Sequence, residues 1–344
     1  MATYYQTDAD DTFSYQQFAH LTHQHIHTTK ETVKEHLKGL AFFHVSFMAT
    51  LFLELLFFGC MALQNPLSWI CATSLATTTL TGFTYLLLTH FMNSRLQEQL
   101  ALLQKQFIQS CQREIPVETS LQERHLALAH CLSQLATFLE HKDIYTLHVH
   151  PFTFETTGII YAVKMLACQH ILTWQKGLMR QAITEHIAYT QIDPLCIASH
   201  ISLARTYIAL ANVCQGPQDR FFSHPSITAR YNKPHHQKTA QKATELAVEE
   251  LQILNDLAPE DPWVHAQLAR CYHHLENPPL EIAAYETLHH LRPEDKTVLF
   301  QLGQLYFAEN QTAKGLKVYQ KLLSIDAKTA TQLLKHYTKP TTDL

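Results

Sequence analysis

Between Pro262 and Thr329 the sequence repeats itself after thirty-four residues without a gap. Leu268-Ala269 and Tyr272 recur as Leu302-Gly303 and Tyr306, while Tyr285, Leu288 and Leu291 recur as Tyr319, Leu322 and Ile325. A fixed period of this length is the mark of a supersecondary unit that cannot bury its apolar face alone, so neighbouring units must stack. The residue types indicate how they stack. A large residue beside a small one, as in Leu268-Ala269 and Leu302-Gly303, lets two helices cross closely, and Tyr285 and Tyr319 then fill the gap to the next unit. At least three units are needed for a stable array, so further ones are expected upstream.

They are found there in modified form. Leu203-Ala204 with Tyr207 stands nine residues after Pro194, as Leu268 does after Pro259 and Leu302 after Pro293. A first unit is expected from Gly158, with Leu166-Ala167 and His170 on its first helix and Ala182, His186 and Tyr189 on its second. The next unit is split. Its first helix ends near Cys214 to Pro217 and its second is clear only near Ala247, Leu251 and Leu254, which leaves an inserted loop at about residues 215–238. Basic and aromatic residues in that loop, Arg220, Phe221, Phe222, Arg230 and Tyr231, suit contact with a protein or a lipid headgroup, and a tolerated insertion is the alternative. A terminal helix over Thr331 to Tyr337 would cover the last repeat, closing a solenoid at 158–337.

The period and residue types over Gly158 to Thr329 resemble the tetratricopeptide repeat, most closely at 262–329. The resemblance implies a groove lined by the first helix of each unit that receives a peptide or helix. By position that groove would hold Arg205, then Trp263, Gln267, Arg270 and His274, then Phe300 and Gln304. Ile201, Ala266, His273, Thr297 and Phe307 would line it with them. The variant that clamps a C-terminal carboxylate needs lysine and asparagine where this chain has Ile201, Arg205, Gln267, Thr297 and Gln301, so that clamp is absent. Glu281 and Gly315 stand where a small alanine is usual, and Ala327 replaces the closing proline.

The other constraint lies near the N-terminus. Leu40 to Leu63 is apolar over twenty-four residues, interrupted by His44, Ser46, Thr50 and Glu54, and is followed by the turn signal Gln64-Asn65-Pro66. Leu67 to Phe91 is a second such stretch, rich in threonine. As a helix the first would be about 36 Å long against a hydrocarbon core of about 30 Å. Residues 40–91 therefore read as a transmembrane helical hairpin, with a buried soluble hairpin as the alternative. Lys30, Lys34 and Lys38 precede it, Arg95 and Lys105 follow it, and the turn carries no such charge, which predicts both termini on the cytosolic side. Folding about Asn65 sets Glu54 roughly opposite Thr77, so a protonated Glu54 is expected to hydrogen-bond Thr77 or Thr78 as interhelical glue.

Residues 1–39 read as a polar, histidine-rich segment; His23 and His27 share a helix face, but nothing nearby completes a metal site. No secretory signal peptide is visible. Leu96, Leu100, Leu103 and Phe107, then Leu121, Leu128, Leu132, Leu135 and Leu139, give two apolar seams, so residues 93–142 read as an antiparallel helical pair forming a stalk or cap. Asp143 to Thr157 reads as an extended connector.

The predicted fold is all-α, with an N-terminal two-helix transmembrane hairpin followed by an α-solenoid of tetratricopeptide-like hairpins. A formal charge of −4 argues against a nucleic-acid partner, and eight cysteines scattered without a C-x-x-C suit small core residues in a reducing compartment. No phosphate-binding, zinc-hydrolase or nucleophile-elbow motif occurs, and Glu286 with His289 makes a single E-x-x-H where a di-iron bundle needs two. The reading is a non-enzymatic adaptor without metal, cofactor or small-molecule substrate, held in a lipid bilayer and recruiting a protein. The alternative is a structural subunit of a membrane complex. The closely spaced spans also resemble the bilobed segment of chlamydial inclusion membrane proteins. That resemblance implies a secreted inclusion-membrane effector binding a host protein, against a bacterial inner-membrane protein otherwise.

Overall fold

The computed structural model describes residues 15–64, 69–116, 119–139, 157–215 and 234–338. Among them are eleven helices and no strand. The chain divides into two compact units, Met1–Glu185 and His186–Leu344.

The first unit begins with two very long helices, α1 (Tyr15–Gln64) and α2 (Trp69–Glu114). At about 1.5 Å per residue they extend about 75 and 69 Å. They pack against each other as antiparallel neighbours, and each has two halves of different character. Around the turn, from Phe42 to Phe91, large apolar side chains point outward: Leu63 is 89% exposed, Trp69 76% and Leu86 67%. Both helices are long and apolar enough to cross a membrane. Away from the turn the same helices are buried on one face, with Ile26, Val33, Leu37, Leu96, Leu100 and Phe107 nearly inaccessible.

Those buried faces meet α3 (Leu121–Phe138) and the portion of α4 (Thr157–Ile192) that belongs to this unit, making a four-helix core. Ser120 caps α3 in a capping box with Glu123. Leu132, Leu135, Leu139, Ile171, Leu178 and Met179 are all fully buried there. Polar cross-links tie the helices. Gln175 Nε2 donates to the Ala136 carbonyl at 2.8 Å, Gln104 Nε2 donates to Gln181 Oε1 at 2.6 Å, and His125 Nδ1 lies 2.7 Å from Glu185 Oε2. Cys111 and Cys131 are buried, with Thr22 Oγ1 3.5 Å from Cys131 Sγ.

Three expectations change here. The polar segment is helical from Tyr15 and buries a face through Phe18, Thr22, Ile26, Thr29, Val33 and Leu37. Lys30, counted among the flanking charges, is buried with its Nζ 4.5 Å from the Phe138 ring centroid. The pair expected at 93–142 is half of a bundle, because its first member continues α2 and α1 and α4 complete the core. The unit expected from Gly158 does not fold as a helix–turn–helix, since Thr157–Ile192 is one helix. It contains no proline, and its one interior glycine, Gly177, costs only about 1 kcal/mol, too little to break it.

The second unit holds the repeats. Helices α5 (Ile197–Gln215) and α6 (Pro234–Leu257) pair, followed by α7 (Pro262–His274) with α8 (Pro278–Leu291) and α9 (Lys296–Ala308) with α10 (Thr312–Ile325). Successive first helices start at Pro262 and Lys296 and successive second helices at Pro278 and Thr312, thirty-four residues on in each case. Asp261 and Asp295 cap the first helices. Glu276 and Asn310, with φ of 53° and 58°, turn the chain between paired helices. The amides of Asn277 and Gln311 reach back to the carbonyls of Tyr272 and Tyr306, closing Schellman turns. The second helix of the split repeat reaches back to Pro234, so the insertion is shorter than expected at that end. A last helix, α11 (Ala327–Thr338), covers the array, with Ala330 and Leu333 fully buried against Leu302, Tyr306, Val318 and Leu322.

Candidate interaction surface

The residues expected to line the groove sit on α5, α7 and α9. The Asp261 side chain accepts from the Trp263 amide at 2.8 Å and Pro262 fixes the first turn, which sets Trp263 at the start of α7. Spacings of four, three and four residues then put Gln267, Arg270 and His274 on the same face. Trp263 and Gln267 are half-buried, while Arg270 and His274 are exposed. The Arg205 guanidinium, exposed on α5, lies over the Trp263 ring at 4.9 Å. A cation held over an indole face contributes about 0.5–1 kcal/mol at an exposed site. Further along, Gln215 Nε2 donates to His274 Nδ1 at 3.3 Å. Partial desolvation by its neighbours holds His274 below the usual imidazole range, and His273 and Arg270 add to the effect. On α9, Gln304 is half-buried and Phe300 packs against the core of the last repeat. Arg220, Phe221, Phe222, Arg230 and Tyr231 lie outside the described residues.

Sequence reading missed the ring contacts that support this face. His200 Nδ1 lies 2.6 Å from Glu250 Oε2 and its Nε2 lies 2.9 Å from the Pro194 carbonyl. Both neighbours are acceptors, so the doubly protonated ring satisfies both. Burial works against the charge, but the bonds to Glu250 and Pro194 outweigh it and hold His200 above the usual range. His265 repeats half of the arrangement, with Nε2 2.7 Å from the Pro259 carbonyl. The signal was in the sequence: each histidine follows a proline by six residues.

In the apolar hairpin, Glu54 Oε1 accepts from Thr81 Oγ1 at 2.9 Å. This corrects the expected partner, since the Thr77 and Thr78 hydroxyls both donate to the Ser74 carbonyl of their own helix. Thr77 still shares a cleft with Glu54, of about 410 Å³, lined by Leu53, Phe57, Ile70, Thr73 and Ser74. Glu54 Oε2 is shielded and has no hydrogen-bond partner among the described residues. Nearer the bundle, His44 Nδ1 lies 2.9 Å from Tyr85 Oη, with Phe43 and Phe47 against the same tyrosine ring. Among the described residues no three His, Cys, Asp or Glu side chains gather as metal ligands.

No protein-family profile and no curated protein matches this chain. Among solved structures it is similar to a MamA structure, "MamA MSR-1 C2", at 14% identity and a TM-score of 0.33, over 61% of this chain and 96% of that one. It is also similar to TTC0263, a thermophilic TPR protein of Thermus thermophilus, at 14% identity and 0.30, over 62% and 91%. A third likeness is YrrB, described as a TPR protein with an unusual peptide-binding site, at 12% identity and 0.26, over 52% and 97%. The thirty-four-residue spacing of helix pairs, their Schellman turns and the covering helix make the second unit a segment of tetratricopeptide-like repeats.

Proposed function

We propose that this protein is a membrane-anchored, non-enzymatic adaptor in which the hairpin of α1 and α2 sits in a bilayer and the α5, α7 and α9 face recruits a protein partner as a peptide or helix. The observation that carries the anchoring is the contrast along two continuous helices. Their bundle halves bury their apolar residues, whereas between Phe42 and Phe91 such residues stand exposed with no further helix to cover them among the described residues. Lipid is the covering that suits a surface of that length and composition. Charges on Lys34, Lys38 and Arg95 favour both termini on the cytosolic side of a bacterial inner membrane; an inclusion membrane is the counterpart for a secreted protein. The recruitment reading rests on Trp263 with Arg205, Gln267, Arg270, His274, Phe300 and Gln304, an aromatic and arginine set of the kind that anchors interfaces. The loop residues Arg220, Phe221, Phe222, Arg230 and Tyr231 form a second contact in this reading.

Carbonate extraction and affinity capture on full-length protein in native membranes test both halves. Trp263→Ala with Arg270→Ala is expected to abolish partner capture while membrane retention persists; release by carbonate would end the anchor, and retained capture would remove the groove. A second reading, a structural subunit of a membrane complex, is favoured by the unpartnered Glu54 Oε2 beside a hydroxyl-lined cleft. Glu54→Gln is then expected to disperse the complex on native gels, and an intact complex would defeat it.

A further inference from the structure

The repeat face carries a charge asymmetry that names the chemistry of a partner. Helices α5, α7 and α9, on which the proposed recruiting face lies, contain no aspartate or glutamate. Among the described residues, the acidic side chains of the second unit are on α6 and α8 or in the turns, and several are consumed internally. Glu250 meets His200, Glu281 meets His273, and Glu286 accepts from Tyr306 and Lys314. Asp261, Asp295 and Asp326 cap helices, and Asp326 also takes Lys296. Glu260, Glu276, Glu294 and Glu309 stand in the turns that flank the first helices. Arg205 and Arg270 remain. Both are exposed, and neither guanidinium meets a carboxylate among the described residues. Arg205 lies on Trp263, and Arg270 is two helical turns from Trp263 on the same face of α7.

We infer that this face binds an acidic peptide segment of its protein partner, with carboxylates received by Arg205 and Arg270 on either side of Trp263. This rests on the adaptor reading and specifies its partner. Arginine's planar fork suits a carboxylate, and indole stacking holds the Arg205 fork without using its outward N–H groups. Gln267, between Trp263 and Arg270 on α7, and Gln304 on α9 supply neutral polar contacts. Complementary charge of this kind sets specificity and association rate.

The test uses the full chain in nanodiscs of neutral lipid and fluorescence anisotropy with three labelled peptides of equal length, rich in glutamate, glutamine or lysine. The glutamate-rich peptide is expected to bind most tightly, with affinity falling as salt rises. Arg205→Ala with Arg270→Ala should weaken it by about tenfold or more, whereas lysine at both positions should restore most of the affinity. Equal binding of the glutamine- or lysine-rich peptide, lost on Trp263→Ala, would overturn the acidic preference and leave the adaptor reading standing. No binding of the glutamate-rich peptide would overturn it as well, and partner capture then judges the adaptor reading separately. Displacement of the peptide by anionic vesicles, dependent on the same arginines, would reassign the face to lipid headgroups and sink the inference.

Discussion

The repeats at 262–291 and 296–325 have the same backbone and solve the same contacts with different side chains. Where the first places Glu281 on its second helix, it sets His273 opposite, with Nδ1 3.2 Å from the carboxylate. Thirty-four residues on, Gly315 takes the place of Glu281 and Phe307 that of His273; a Cβ on Gly315 would fall 2.6 Å from the phenyl ring. One repeat closes its helix crossing with a histidine–glutamate contact and the other with a ring lying on bare backbone. The contact to the preceding repeat varies likewise. Gln252 donates to Tyr272 Oη at 3.5 Å, whereas Tyr306 donates to Glu286 at 2.5 Å. The two glutamates shift in opposite directions. Burial pushes Glu281 up against the pull of His273, while the Tyr306 hydroxyl, aided by Lys314, holds Glu286 below the usual range. Period fixes the backbone, and partners change together.

That pairing makes the comparison breakable. Gly315→Glu alone forces the Phe307 ring out of place and should cost about 1–3 kcal/mol, as overpacking does. Adding Phe307→His transplants the other repeat's solution and should recover at least half, read as hydrogen-exchange protection of α9 and α10. No recovery would mean that the two crossings differ in more than these residues. By contrast Gly303→Ala should cost less, about 1 kcal/mol. Its Cβ would fall 2.6 Å from a Leu333 methyl, which must turn within the core, but a methyl yields more readily than a phenyl ring and the preceding repeat carries alanine at Ala269.

Tyr306→Phe comes next, with an expected loss of about 1.5 kcal/mol for a hydrogen bond to a carboxylate; Tyr272→Phe should stay within about 0.5 kcal/mol. Equal losses by urea titration would erase the distinction. Glu276→Gly should stabilise its turn by about 1 kcal/mol, because a glutamate at positive φ is disfavoured there, while Asn310→Gly should yield only a few tenths. Thermal melts of the two variants separate them.

The smallest effect sharpens a different pair, His200 and His265. With the folded-state value of His200 raised, its contribution is fully present below the unfolded pKa of about 6.5 and fades as pH rises through the folded value. Protection of α5 amides should therefore fall, after correction for intrinsic exchange, as pH rises above about 6.5, and the decline should vanish in His200→Gln. A decline that persists in the variant would place the titrating group elsewhere.

The repeats were legible because tyrosines, small residues and prolines recur at fixed offsets, and the hairpin because two long stretches carry no Asp, Glu, Lys or Arg apart from Glu54. The buried face of α1 was legible in principle: Phe18, Thr22, Ile26, Thr29, Val33 and Leu37 recur every three or four residues, but four histidines between them masked the seam. The continuity of α4 was not, since Leu166-Ala167 mimics a repeat signature and only the packing of Ile171, Trp174 and Leu178 in a bundle shows otherwise. Thr81 escaped for a geometric reason. Counting outward from the turn gives a rough level, and side-chain reach shifts the true partner of Glu54 by a turn of helix. On the candidate surface, repeat position assigned Arg205 and Trp263 to one groove but gave no sign that one stacks on the other, and the loop residues lie beyond what the structure describes.

Because α1 and α2 run unbroken from the exposed apolar hairpin into the bundle, the two parts are geared together with no swivel between them. Each helix residue added near Leu40 would turn everything beyond it by about 100°, and the matching side of the gear, near Asn93, would have to turn with it. The bundle's compass bearing about the hairpin axis is thus written in residue count, and a tilt or twist applied to the hairpin arrives in the bundle undiminished by any linker.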